Sequence, residues 1–111
     1  MRPISVPVNP TAATLTTVYT VPTGYYAKMC VMFIHNTTGS NKHITVQWTD
    51  ASASTTYDIL SQYTVSAKTY LLFDGGAYIV LEEGDQIKIT TETGSTFTFI
   101  GTFEEVGLTR L

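Results

Sequence analysis

Two histidines, one cysteine and a late group of carboxylates are the residues of this chain on which chemistry would have to be built. His35 and His43 flank the turn-forming stretch Asn36–Asn41, so a hairpin there brings two imidazoles toward each other as two metal ligands. Zinc needs at least a third His, Cys or carboxylate, and the loop supplies none, so solvated loop-end histidines are the expectation. Asp74, Glu82, Glu83 and Asp85 fall at turns that would have to share one end of the molecule to cage calcium. Their spacing matches no calcium-loop pattern, and Gly and Asp at turns have the ordinary work of supplying positive φ and side-chain-to-backbone hydrogen bonds. Cys30 sits inside the apolar run Met29–Ile34 (MCVMFI) and reads as a small core residue rather than a nucleophile. No Gly-x-Ser-x-Gly elbow, P-loop, dinucleotide glycine pattern or paired-histidine motif occurs. No catalytic, cofactor-binding or metal-ligating residue is therefore assigned, and a protein without cofactors that is not an enzyme is expected.

Seven tyrosines and Trp48 leave a carbohydrate site open, because an aromatic face stacks on a sugar ring while nearby Asn and Asp bind its hydroxyls. Against it, Trp48 falls in phase with Ile44 and Val46, the inward phase of a strand, and the tyrosines are spread as β-formers are. Charged residues make up 14% of the chain, well under the roughly 25% of an average soluble domain, and threonine fills about a fifth of it. Such neutral hydroxyl surface suits a protein packed among copies of itself or against a partner. The net charge is −3 and the six basic residues are scattered singly, which leaves no footprint for phosphates and argues against nucleic acid. No apolar signal core opens the chain and no apolar run is long enough to span a bilayer, so a soluble product made in the cytoplasm, without membrane partners, is expected.

The elements that must position these groups are short Thr/Tyr/Val/Ile/Phe runs cut by Gly, Pro, Asn and Asp turns, with no helical period anywhere. Strands are expected at residues 15–21, 26–35, 42–50, 55–60 with 63–65, 69–73, 77–81, 86–92 and 95–106. Asp74-Gly75-Gly76 is read as a turn needing positive φ. About eight strands at this spacing imply an all-β, antiparallel β-sandwich of jelly-roll or Ig-like type. With 111 residues and 43% hydrophobic content the chain holds one core: an extended N-terminal arm over 1–13, the sandwich over 14–106 and a C-terminal tail over 107–111. Pro3, Pro7 and Pro10 exclude helix and central strand from the arm, which leaves Ile4, Val6 and Val8 to dock on a neighbouring subunit or to fray. The strand over 26–35 is apolar on both faces, so Met32 and Ile34 are expected to meet something besides solvent: the arm, another subunit or a crossover within the sandwich. Ile4, Val6, Val8, Met32 and Ile34 are the candidate interaction residues.

Three segments carry a resemblance: Leu15–Gly24 (LTTVYTVPTG), the apolar strand running into Asn36–Ser40 (NTTGS) and Thr45–Asp50 (TVQWTD), and the turn Leu81–Ile87 (LEEGDQI). Over roughly residues 14–105 the chain resembles the small β-sandwich virion proteins of tailed bacteriophages. The resemblance implies a structural role on the particle, either as a capsid decoration or cement subunit or as a neck or tail protein. Its partners would be the major capsid protein or neck and tail proteins, and its own copies in a trimer or other small cyclic oligomer. The virion would be its location. A host-glycan-binding module is the reading from another class.

Overall fold

The computed structural model describes residues 2–74 and 79–108. Among the described residues nine strands form: β1 (Arg2–Val8), β2 (Thr16–Thr20), β3 (Tyr25–Asn36), β4 (Lys42–Asp50), β5 (Thr55–Val65), β6 (Tyr70–Phe73), β7 (Ile79–Leu81), β8 (Gln86–Thr91) and β9 (Phe97–Gly107). All pairings are antiparallel, in one sheet ordered β1-β9-β3-β6, where β7 also pairs β3, and a second ordered β2-β8-β4-β5. β6 and β7 lie along two stretches of β3, at Met32–His35 and Ala27–Met29, and count as halves of one interrupted strand. The result is two facing four-stranded sheets between which the chain repeatedly crosses, the double Greek key of a jelly roll rather than an Ig-like order. Gly75, Gly76 and Ala77, read from sequence as a turn and a strand start, lie outside the described residues, as do Thr109–Leu111 of the expected tail.

The core forms because inward positions alternate along the strands that cross the centre. In β9 the alternation runs from Phe97 through Phe99, Gly101 and Phe103 to Glu105, all buried. Opposing it are Ile44 and Val46 of β4 and Ile87 and Ile89 of β8, each at 0% exposure. Each such side chain contributes about 1.5–3 kcal/mol by leaving water. Gly101 is where the two phenylalanine rings close over the backbone: a Cβ there would stand 2.9 Å from Phe103 Cε1 and 3.2 Å from Phe99 Cε1.

Two sequence expectations change. Arg2–Val8 is not a free arm but an edge strand paired with β9 from Arg2↔Glu105 to Val8↔Phe99, which turns Val6 and Val8 onto the core of their own domain. The prolines permit this because an edge strand needs donors on one side only. In β3 the pairing with β9 slips between Met29 and Val31, leaving Cys30 as an extra residue. This β-bulge exchanges faces mid-strand: Ala27 and Met29 point inward before it, Met32, Ile34 and Asn36 after it. Met32 and Ile34 are thus core residues, at 3% and 0% exposure, and not an interaction surface.

Candidate interaction surfaces

The residue types singled out for chemistry are dispersed by the fold. His35 lies in the first sheet opposite Tyr70 and Thr98, whereas His43 lies in the second opposite Thr64. His43 Nε2 stands 3.6 Å from Glu92 Oε1, and its backbone N–H donates to the same oxygen at 3.0 Å. That backbone bond, against a smaller effect of burial and with the Lys42 ammonium adding to it, holds the Glu92 carboxyl below its ordinary range. Among the described residues no group of three or more His, Cys, Asp and Glu is placed to hold a metal ion.

Asp85 acts as a turn brace. Buried at 1% exposure, it accepts from Trp48 Nε1 at 3.1 Å, from the Ala51 N–H at 3.0 Å and from the Glu82 N–H at 2.9 Å. Its position ties the β4–β5 hairpin to the β7–β8 turn, and it accounts for Trp48, which is only half-buried against the core. Glu83 reaches back to accept from the Gly24 N–H. Asn36 does comparable work at the other end: its side-chain nitrogen donates to the carbonyls of Val65 (2.9 Å) and Ser40 (3.0 Å), and its oxygen accepts from the Thr38 N–H (2.9 Å). Asp85 and Asn36 use their hydrogen-bonding capacity to hold loops.

One buried ionic group was not anticipated. Glu105, at 3% exposure, accepts from Tyr19 Oη and from Arg2 Nε, both at 2.6 Å. Tyr19 belongs to the second sheet, Glu105 and Arg2 to the first, so one carboxylate joins three strands across both layers. The Arg2 guanidinium also lies 4.4 Å over the Tyr25 ring, and the Tyr19 ring stacks on Phe103 at 3.8 Å. Burial pushes the Glu105 carboxyl up, but the hydrogen bonds from Tyr19 and Arg2 and the guanidinium charge outweigh it and hold the group below the usual carboxylate range. Burial, then the bond to Glu105, pushes the Tyr19 phenol far above its ordinary value. The signal was present in the sequence: Glu105 is in phase with Phe97, Phe99 and Phe103, and a carboxylate on an inward phase demands a partner.

Cys30 is not the core residue its apolar setting suggested. As the bulged residue it is half-buried and lines an open cavity of about 260 Å³ with Met29, Met32, Ile59, Leu60 and Phe73. The cavity opens between β3 and the bent middle of β5, and among the described residues Asp74 is the one carboxylate along its lining. Burial, then the nearby Glu104 charge, pushes the thiol up, which keeps the reactive thiolate scarce at neutral pH.

Apolar exposure is concentrated on one flank. Of the nine exposed large hydrophobic side chains among the described residues, six belong to β5, β6 and β7: Tyr57, Tyr63, Tyr70, Leu72, Phe73 and Val80. Phe33 of β3 extends that flank by stacking on Tyr70 at 5.5 Å. Of Ile4, Val6 and Val8, the apolar residues singled out in the expected arm, only Ile4 stays exposed, at 40%. Sequence reasoning overlooked the β5–β7 flank because alternation shows which face of a strand is apolar, not which strand is left at an edge.

No family model matches the chain, and no curated protein does. Among solved structures it is similar to a chain from Bacillus endospore appendages, described as a novel family of disulfide-linked pili. The TM-score is 0.55 at 14% sequence identity, over 97% of this chain and 87% of that one. At that identity the likeness is one of fold.

Proposed function

We propose that this chain is a structural subunit, not an enzyme, that works by packing against other proteins of a repeating assembly. The observation that carries the proposal is the gathering of six of nine exposed large hydrophobic side chains on the β5–β7 flank of a slab with only 14% charged residues. Large apolar side chains left exposed on edge strands mark interaction surfaces. The sequence resemblance favours a tailed-phage virion, with the chain as a decoration or cement subunit binding the major capsid protein or as a neck or tail protein. Jelly rolls recur in viral capsid proteins, an analogy of fold in keeping with that setting.

The fold likeness to a pilus chain favours a second reading, a filament subunit. Cysteine arithmetic constrains how such a filament is held. With Cys30 alone, one intermolecular disulfide joins two copies and stops, because a covalent chain needs two linking thiols per subunit. Disulfides of this chain alone therefore do not extend it into a polymer.

The test mixes the isolated protein with capsid shells and, separately, with tails, and follows co-sedimentation. Uptake by shells is expected, and Leu72→Asp and Tyr70→Asp should abolish it while leaving the β-type circular dichroism intact. Refusal by shells and tails, together with no self-assembly at high concentration, would overturn the proposal.

A further inference from the structure

The four edges of the two sheets are not equally guarded. β1 carries Pro3 and Pro7, which remove donors from an edge and blunt it. β2 has five residues and a register break between Thr17 and Tyr19. The edge beyond β3 is split into β6 and β7, of four and three residues. β5 is different: eleven residues, no proline, Asp58 as its one charge, and register breaks confined to its middle, which leave a regular stretch at each end. An edge that long and that weakly charged is a template for pairing with another strand.

The sequence of β5 specifies the partner. Read against its own reverse about Leu60, Thr55–Val65 (TTYDILSQYTV) places Thr56 opposite Thr64, Tyr57 opposite Tyr63, Asp58 opposite Gln62 and Leu60 opposite itself. We infer that β5 pairs antiparallel with β5 of a second copy across a two-fold axis at Leu60, making one continuous eight-stranded sheet from the two β2-β8-β4-β5 sheets.

Three observations support this occupant over another strand. First, the faces agree. Tyr57 and Tyr63 sit opposite Trp48 and Ile44, on the side of β4 that faces the core, while Thr56 and Thr64 sit opposite Thr49 and His43 on the other side. Two-fold pairing therefore matches tyrosine to tyrosine on one face and threonine to threonine on the other. Second, two aromatic side chains stand exposed on β5, Tyr57 at 49% and Tyr63 at 45%, among the exposed threonines Thr55, Thr56 and Thr64. Cross-strand aromatic and Thr–Thr pairs are the favourable units of an antiparallel ladder. Third, the charges agree. The single acid of each strand meets a glutamine amide, a hydrogen-bonding partner, and not its own symmetry mate.

The bulges of β5, at Ile59 and at Ser61–Gln62, fall within two residues of the axis. Regular ladders then form in two arms, Thr55–Tyr57 of each copy against Tyr63–Val65 of the other, with Asp58 and the bulged Gln62 facing each other at the inner end of each arm. A two-fold contact is closed, so it yields dimers and not filaments, and it stands or falls separately from the particle role proposed above.

Sedimentation velocity of the full chain over a concentration series tests it, using two substitutions of opposite sign at one exposed position. Gln62 has φ +46°, a conformation Asp tolerates, and its backbone N–H, which donates to Thr45 Oγ1, is untouched by either change. Gln62→Asp places like charges opposite each other twice per dimer and should weaken dimerisation roughly ten-fold; Gln62→Lys should tighten it by several-fold. A Tyr57→Cys/Tyr63→Cys double variant on a Cys30→Ser background should oxidise to a covalent dimer without higher species. A monomer at millimolar concentration, dimers indifferent to both Gln62 variants, or a ladder of cross-linked oligomers would each overturn the inference.

Discussion

Replacing Glu105 by glutamine isolates the buried carboxylate that joins the two sheets. The substitution keeps shape and one acceptor oxygen while removing the charge. Hydrogen bonds to a charged group contribute about 1.5–3 kcal/mol and neutral ones about 0.5–1.5 kcal/mol, so the Tyr19 bond should weaken by about 1 kcal/mol. Arg2 is 58% exposed, so solvent screens its pair with Glu105 and the pair adds little. The expected loss at neutral pH is about 1–2 kcal/mol, or roughly 5–10 °C in Tm for a domain of this size.

The pH dependence is the sharper test. A carboxyl whose pKa is depressed in the fold stabilises above its unfolded value, about 4.3, and that stability is lost as pH falls through the folded value. Wild type should therefore lose stability below about pH 4, and Glu105→Gln should lose less, so their stabilities converge on acidification. Urea titrations at pH 7 and pH 3 measure the gap. A gap of the same size at both would show that Glu105→Gln acts through packing alone and would refute the electrostatic account.

Gly101→Ala should cost about 1–3 kcal/mol by overpacking, since the new methyl meets Phe99 and Phe103; chemical denaturation measures it, and an unchanged midpoint would contradict the packing described. Asp85→Ala strands three donors and should cost about 3 kcal/mol, with Trp48 fluorescence shifting as its indole loses its acceptor; thermal melts and emission spectra report both. Cys30 should alkylate with iodoacetamide more slowly than a free thiol at pH 7 and gain rate up to a pH above the ordinary thiol range, as its raised pKa requires. Deleting residues 1–10 strips β9 of its edge partner and should lower stability, whereas an arm that merely frayed would leave the denaturation midpoint unchanged.

Most of the strand pattern was legible because alternation and turn residues are local signals. Thr45, Gln47 and Thr49 against Ile44, Val46 and Trp48 sufficed to mark β4 from Lys42 to Asp50, and the structure has the same bounds. What was illegible is long-range. Arg2–Val8 alternates as a strand should, with Ile4, Val6 and Val8 in one phase, but its partner lies at Phe99–Glu105, and nothing near residue 8 announces it. The two apolar faces read in β3 were one inward face displaced by the bulge at Cys30, and a one-residue slip leaves no mark when both phases carry aliphatic side chains. Glu105 could have been found by asking why an acid shares phase with three phenylalanines. The β5 edge could not, because sheet order decides it.

The surplus residue at position 30 makes β3 a strand of two independent frames. Ala27 and Met29 obey one parity, and Met32, Ile34 and Asn36 obey the other. Dropping that residue would leave Met29, Val31 and Met32 consecutive against Phe103, Thr102 and Gly101, an unbroken ladder that keeps Met32 and Ile34 inside. Losing a residue from the regular stretch that follows would instead turn everything beyond it to the opposite face. For that reason the strand can be shortened at the bulge without exchanging its faces, and not within Met32–Asn36.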